Sequence, residues 1–188
     1  MSLDLLKKTL LEAPVVKKGN YHYIVHPITD GVPEIYPELL KEVIDEIKKL
    51  IRKYDTIDKI VTIEAMGIPL ASLLSIETNI PFTIIRKRKY GLPKEISVEQ
   101  HTGYSKSKLF INGLKKGENV IIVDDVLSTG GTLKAVLTVL KDIGVNVKSV
   151  IIAVNKGKSA DMISNEFKVE IITLVNIEIV DGTVVIKS

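Results

Sequence analysis

The segment Val120-Ile121-Ile122-Val123-Asp124-Asp125-Val126-Leu127-Ser128-Thr129-Gly130-Gly131-Thr132 holds the residues best suited to chemistry. Four consecutive apolar residues read as a buried strand. Two carboxylates stand at its end, and Ser-Thr-Gly-Gly-Thr then turns into a helix. Gly130 and Gly131 permit a tight turn with bare amides, and the positive end of the helix dipole adds to them, so the turn suits a phosphate. Ser128, Thr129 and Thr132 add hydroxyl donors. Asp124 and Asp125 are acceptors for a vicinal diol such as that of a ribose. Ligands of open α/β sheets lie at the carboxyl ends of strands, where this segment would stand. It has neither the Gly-Lys-Ser/Thr of a P-loop nor the Gly-x-Gly-x-x-Gly of a dinucleotide turn. The plainer alternative is a βα turn whose acids only cap the following helix.

The rest of the chain predicts the scaffold that would hold this segment. Leu3 to Ala13 reads as a short amphipathic helix, and Tyr21 to His26 alternates like an edge strand that stops at Pro27. After Pro37, apolar residues from Leu39 to Tyr54 recur at helical spacing with Lys, Glu and Asp between them. Strands are then expected at Lys59–Ile63, Pro81–Ile85, Val120–Val123, Val147–Val154 and Val169–Val175. Helices are expected near Ile68–Glu77, Gly131–Ile143 and Ser159–Glu166. Short apolar strands alternating with helices specify an α/β fold, a central parallel sheet flanked by helices. The tail from Ile177 to Ile186 reads as two strands around Asp181-Gly182, a hairpin turn. Between Lys87 and Lys108 some twenty residues show little periodicity, and with Arg86 they are strongly basic. They read either as a solvated loop or as a mobile lid over an anion.

Composition narrows the class. The chain has 188 residues, 45% hydrophobic and 26% charged, which suits one folded domain and excludes a disordered chain. A net charge of +3 is too small to argue for nucleic acid. No apolar run is long enough to span a membrane, and charges interrupt the first residues where a signal peptide would be apolar, so a cytoplasmic protein is expected. With no Cys and three His, a thiolate site, a disulfide or a multi-His metal site is not expected.

Residues 120–132 resemble the signature of the type I phosphoribosyltransferases, which bind 5-phosphoribosyl-1-diphosphate (PRPP). The resemblance covers roughly residues 20 to 160 and implies that family's fold, with a small hood and a flexible lid on one domain spanning 1–188. The hood would take about 1–36 plus the C-terminal strands, the core about 37–175 and the lid about 87–108. It implies that Asp124 and Asp125 hold the ribose diol, and that Ser128, Thr129, Gly130, Gly131 and Thr132 hold the 5′-phosphate. Glu64-Ala65-Met66-Gly67 stands where the family has its pyrophosphate loop, often with a strained peptide. Arg86, Lys87 and Arg88 would clamp the pyrophosphate, and Tyr104 and Lys106 belong to the lid. Mg²⁺ is the implied cofactor, brought in by PRPP, with contact to Asp124 and Asp125 an open alternative. A homodimer is implied as well.

Within the family the chain most resembles the short archaeal hypoxanthine/guanine enzymes, through His26-Pro27-Ile28-x-Asp30-Gly31-Val32-Pro33, Glu64 to Pro69 and Thr102-Gly103-Tyr104-Ser105-Lys106. That likeness implies purine salvage to IMP and GMP, with a 6-oxopurine bound by Lys156 and, from the hood, His26 or Asp30. Departures bear on the base. Adenine relatives place a Glu before the lid Tyr, where Gly103 stands, and an Arg where Met66 stands. Other hypoxanthine-guanine relatives place an Asp near purine N7, at the position of Ser128. Adenine and xanthine transfer remain alternatives. A PRPP-sensing regulator is a further one, although the roughly twenty residues before Tyr23 are too few for a winged helix and no nucleic-acid partner is expected.

Overall fold

The computed structural model describes residues 3–19, 21–102 and 105–187. Strands β3 (Lys59–Ile63), β4 (Phe82–Ile85), β7 (Asn119–Leu127), β8 (Asn146–Lys156), β9 (Glu170–Val180) and β10 (Thr183–Lys187) form one sheet in the order β10-β9-β8-β7-β3-β4. All neighbours are parallel except β9 and β10, which are joined by the expected Asp181-Gly182 turn, both residues at positive φ. The parallel strands are apolar because helices cover both faces. On one face α1 (Asp4–Leu11), α3 (Pro37–Ile51) and α4 (Gly67–Thr78) enclose Leu6, Ile44, Leu74 and Ile121. On the other, α5 (Gly131–Asp142) and α6 (Ser159–Phe167) enclose Ile122, Val136, Ile152 and Ile163. Each such side chain contributes about 1.5–3 kcal/mol by leaving water.

The order reverses between β3 and β7. From β3 the chain moves outward to β4, and from β7 it moves the other way through β8 to β10. By the topology rule for open α/β sheets, that reversal sets the ligand crevice at the carboxyl ends of β3 and β7. The two segments singled out by sequence, 64–67 and 124–132, leave these adjacent strand ends.

Four features depart from the expectations. The stretch expected to lack periodicity contains an antiparallel hairpin, β5 (Ile96–Thr102) with β6 (Ser105–Ile111). Val98, Leu109 and Ile111 are buried at its base beside Ile85, so that half is part of the core. Strand β7 runs on through the two acids to Leu127 instead of ending at Val123. Strand β9 is continuous through Asn176, because that residue pairs in register with both Asn155 of β8 and Lys187 of β10. The hood holds a second hairpin strand, β1 (Val15–Lys18), beside β2 (Tyr21–Ile24), and a single-turn helix α2 (Pro27–Asp30).

That turn explains His26. Its Nδ1 accepts the Ile28 N–H at 3.2 Å, capping α2, and Gly31 closes the turn at φ 70°. Because Nδ1 accepts, Nε2 carries the proton and donates it to Thr9 Oγ1 at 2.9 Å. The Thr9 hydroxyl donates in turn to the Leu5 carbonyl. The ring is fully buried, and burial lowers its pKa to about 4, opposed in part by Asp30. Both nitrogens are spent inside the hood, so the ring is a buried cap, and the base contact expected of His26 is not available to it. An unfolded His titrates near 6.5, so stability from this neutral ring is complete above that pH and is lost as pH falls toward 4. Between pH 7 and 4 the wild type should lose about 2–4 kcal/mol more than His26→Gln, measured by urea unfolding at each pH.

Candidate active site

Asp124 and Asp125 are successive residues of β7 whose carboxyl groups contact each other. Asp124 lies against Gly67, the first residue of α4, together with the buried Thr62 hydroxyl of β3. Asp125 is 7% exposed. Burial, the Asp125 charge and the hydrogen bond that its protonated carboxyl donates to Asp125 all raise Asp124 well above the usual carboxylate range. Burial pushes Asp125 up to about 6, and Asp30 of the hood adds to the rise. Two buried acids side by side therefore share a proton until a cation or a hydrogen-bond donor arrives.

The turn after β7 is braced from outside. Ser159, at the start of α6, donates its hydroxyl to the Ser128 carbonyl at 2.7 Å. Gly130 has φ 78° and lies against Ser159 and Ile163, so a side chain there would meet both strain and α6. The N-cap of α5 is Gly130, which has no side chain to cap the helix. Thr129 is exposed. A helix start with glycine at the cap and small hydroxyl residues beside it has the chemistry to receive an anion.

Residues 64–67 form the opposite wall. The Glu64–Ala65 peptide is cis. Met66 reaches the hood, where its methyl stands 3.1 Å from where a Cβ on Gly31 would be. Glu64 Oε2 accepts the Lys87 N–H at 2.9 Å and lies 3.1 Å from Arg86 Nε. Thus the structure brings Arg86 and the Lys87 backbone to this loop, while the Lys87 and Arg88 side chains are exposed, Arg88 over the Tyr90 ring at 5.7 Å. Tyr104 and the Lys106 side chain lie outside the described residues.

The hood closes the third side. Helix α2 packs on β7. Asp30 Oδ2 accepts the His26 N–H at 3.0 Å and the Thr29 hydroxyl at 2.6 Å. Lys156, the last residue of β8, donates to the His22 carbonyl at 2.6 Å, with its ammonium 5.9 Å from the Tyr23 ring centre. Beside it opens a cavity of about 570 Å³, walled by His22, Asn155, Lys158, Asn176 and Glu178. Neither Asp124 nor Asp125 lines it. Three contributors escaped the sequence reading: Thr62, Ser159 and the His22 carbonyl. Thr62 was visible as the one hydroxyl inside an apolar strand; the others depend on tertiary contacts. Among the described residues no three His, Asp or Glu are grouped to hold a metal, and no helix is long and apolar enough to cross a membrane.

Comparison with known proteins bears on this arrangement. Residues 32–185 match the family model described as the phosphoribosyl transferase domain. A hypoxanthine/guanine phosphoribosyltransferase of Methanocaldococcus infernus is 51% identical over 182 residues, covering 97% of this chain and 99% of the relative. One from Methanobacterium paludis is 52% identical over 183 residues, covering 97% and 95%. Among solved structures, adenine phosphoribosyltransferase of Saccharomyces cerevisiae superposes with a TM-score of 0.76 at 22% identity, over 92% of this chain and 97% of that one.

Proposed function

The chain belongs to the phosphoribosyltransferase family, and from that membership we propose that the crevice between β3 and β7 transfers the 5-phosphoribosyl group of PRPP to a 6-oxopurine. It is a purine salvage enzyme acting on hypoxanthine and guanine, giving IMP or GMP and pyrophosphate. The observation that carries the reading is the meeting, at one topological reversal, of a buried acid pair and an uncapped helix start. Those features are complementary to a ribose diol and a 5′-phosphate.

Each part then has a task. Residues 128–132 and the start of α5 anchor the 5′-phosphate. Asp124 and Asp125 accept hydrogen bonds from the ribose hydroxyls and orient C1 toward the base. Arg86 and Lys87, beside residues 64–67, face the pyrophosphate as it takes the electron pair of the broken C–O bond. The region from Lys87 to Lys108, with its hairpin, acts as the lid that keeps water from the oxocarbenium-like transition state. The base lies between the hood and the cavity beside Lys156, whose ammonium exchanges the His22 carbonyl for purine O6. Asp30, on the hood above Asp125, lines the same space.

Magnesium suits these donors. Two adjacent carboxyls whose ionisation burial and repulsion oppose are hard oxygen ligands awaiting a cation, and magnesium is ordinarily held by one or two carboxylates plus substrate phosphates. Asp124 and Asp125 would hold it, and the ion would offset charge on the leaving group. The enzyme acts in the cytoplasm, as a homodimer.

The test offers hypoxanthine, guanine, adenine, xanthine and orotate in parallel with PRPP and magnesium. Turnover of hypoxanthine and guanine is expected. Turnover of adenine in their place would reverse the base assignment, and turnover of none would remove the enzyme reading.

A further inference from the structure

We propose that Glu64 is a positioning residue that holds the Arg86 guanidinium at the pyrophosphate subsite and couples that subsite to the β5–β6 hairpin. The inference rests on the functional reading above. A carboxylate in a loop that faces a polyanion is unfavourable unless it has another task. Glu64 has one: its Oε2 accepts the Lys87 N–H at 2.9 Å and sits 3.1 Å from Arg86 Nε. The Glu64 N–H donates to the Ile85 carbonyl at 3.0 Å, which fixes the loop against the end of β4. Met66 is apolar and turned to the hood, so Arg86 is the cation that contacts this loop.

Arg86 is held from a second side. Its N–H donates to the Phe110 carbonyl at 3.0 Å, and its carbonyl accepts the Phe110 N–H at 2.7 Å. One residue thus has its backbone on the hairpin and its side chain on the loop after β3. The side-chain contact is made through Nε, which is buried and not aligned for a hydrogen bond, so it is an ion pair rather than a fixed bond. Contact on the Nε side leaves the terminal nitrogens to face phosphate oxygens, the geometry in which guanidinium binds anions best. A shift of the hairpin then moves Arg86, and Glu64 limits that shift.

Calorimetry with magnesium pyrophosphate and, separately, with IMP tests this on wild type, Glu64→Gln, Arg86→Gln and the double variant. Glutamine keeps an oxygen for the Lys87 N–H and removes only the charge. Pyrophosphate affinity should fall about tenfold in Glu64→Gln while IMP affinity and Tm stay near wild type. In the Arg86→Gln background the same change should have no further effect, and in turnover the KM for PRPP should rise more than the KM for the base. Unchanged or tighter pyrophosphate binding, a matching loss of IMP binding, or additive effects in the double variant would overturn the proposal. If Glu64→Gln fails to fold, Glu64→Asp withdraws the carboxylate by one methylene, and the same split between the two ligands is required of it. Wild type inactive with every base would remove the functional reading itself; an active wild type with an indifferent Glu64→Gln removes only this inference.

Discussion

Asp125→Asn should lower kcat/KM for PRPP by about a hundredfold to ten-thousandfold while making the unliganded protein more stable at neutral pH. The loss follows from two charge-assisted hydrogen bonds to a ribose diol, each about 1.5–3 kcal/mol, that an amide cannot reproduce with both oxygens. The gain follows from burial. Asp125 is 7% exposed with a carboxyl pushed up to about 6, against an unfolded value near 3.9. Between those values the folded state keeps a proton that the unfolded state has released. Stability from this group is therefore complete below pH 4 and lost as pH rises through 6. At pH 7 the substitution should return about 1–3 kcal/mol, read as a higher urea midpoint. The two readouts must move in opposite directions; activity and stability falling together would mean that Asp125 is a structural residue. In the wild type, kcat/KM for PRPP should climb through about pH 6 as Asp125 ionises. His26 has the opposite slope, losing stability as pH falls below 6.5, so the fold is squeezed from both sides of the same interval.

The parts of this design that were legible in sequence are those in which local pattern and tertiary role coincide. Val120–Val123 is apolar because helices cover both faces of β7, and Gly130 and Gly131 stand where the chain turns tightly into α5. The hairpin was hidden by its own composition. Ile96, Val98, Leu109 and Ile111 alternate as strand residues should, but the basic residues from Arg86 to Lys89 and the weak periodicity of the stretch as a whole pointed to a loop. His26 illustrates a different limit. A histidine beside a binding crevice invites a ligand role, and only the positions of Thr9 and the Ile28 amide, one of them seventeen residues away, show that the ring is committed. Lys156 was placed correctly at the end of β8, yet its tie to the His22 carbonyl spans 134 residues and no local signal announces it.

Gly67→Ala tests how tightly the crevice is built. Gly67 is buried at the first turn of α4, and a methyl there would collide with the Thr62 hydroxyl and Asp124 Oδ1 while standing 3.1 Å from the Val123 carbonyl. The first two are side chains, but neither has room to yield. Thr62 is fully buried in β3, and Asp124 belongs to the acid pair. Relief must come from sliding α4 and the Glu64–Gly67 loop outward, away from β7. That shift separates the two walls of the crevice, so the ribose and the pyrophosphate can no longer be held together. A displacement of about 1 Å between such groups costs on the order of a hundredfold in rate, and overpacking costs about 1–3 kcal/mol of stability. Turnover at saturating PRPP should therefore fall near a hundredfold in a protein that still unfolds cooperatively. Gly182→Ala is the control, because no atom stands within 4 Å of its added methyl and it lies in the β9–β10 turn, away from the crevice. Its positive φ of 75° lowers Tm without affecting the rate. Equal turnover in Gly67→Ala and wild type would show that the two walls need not meet.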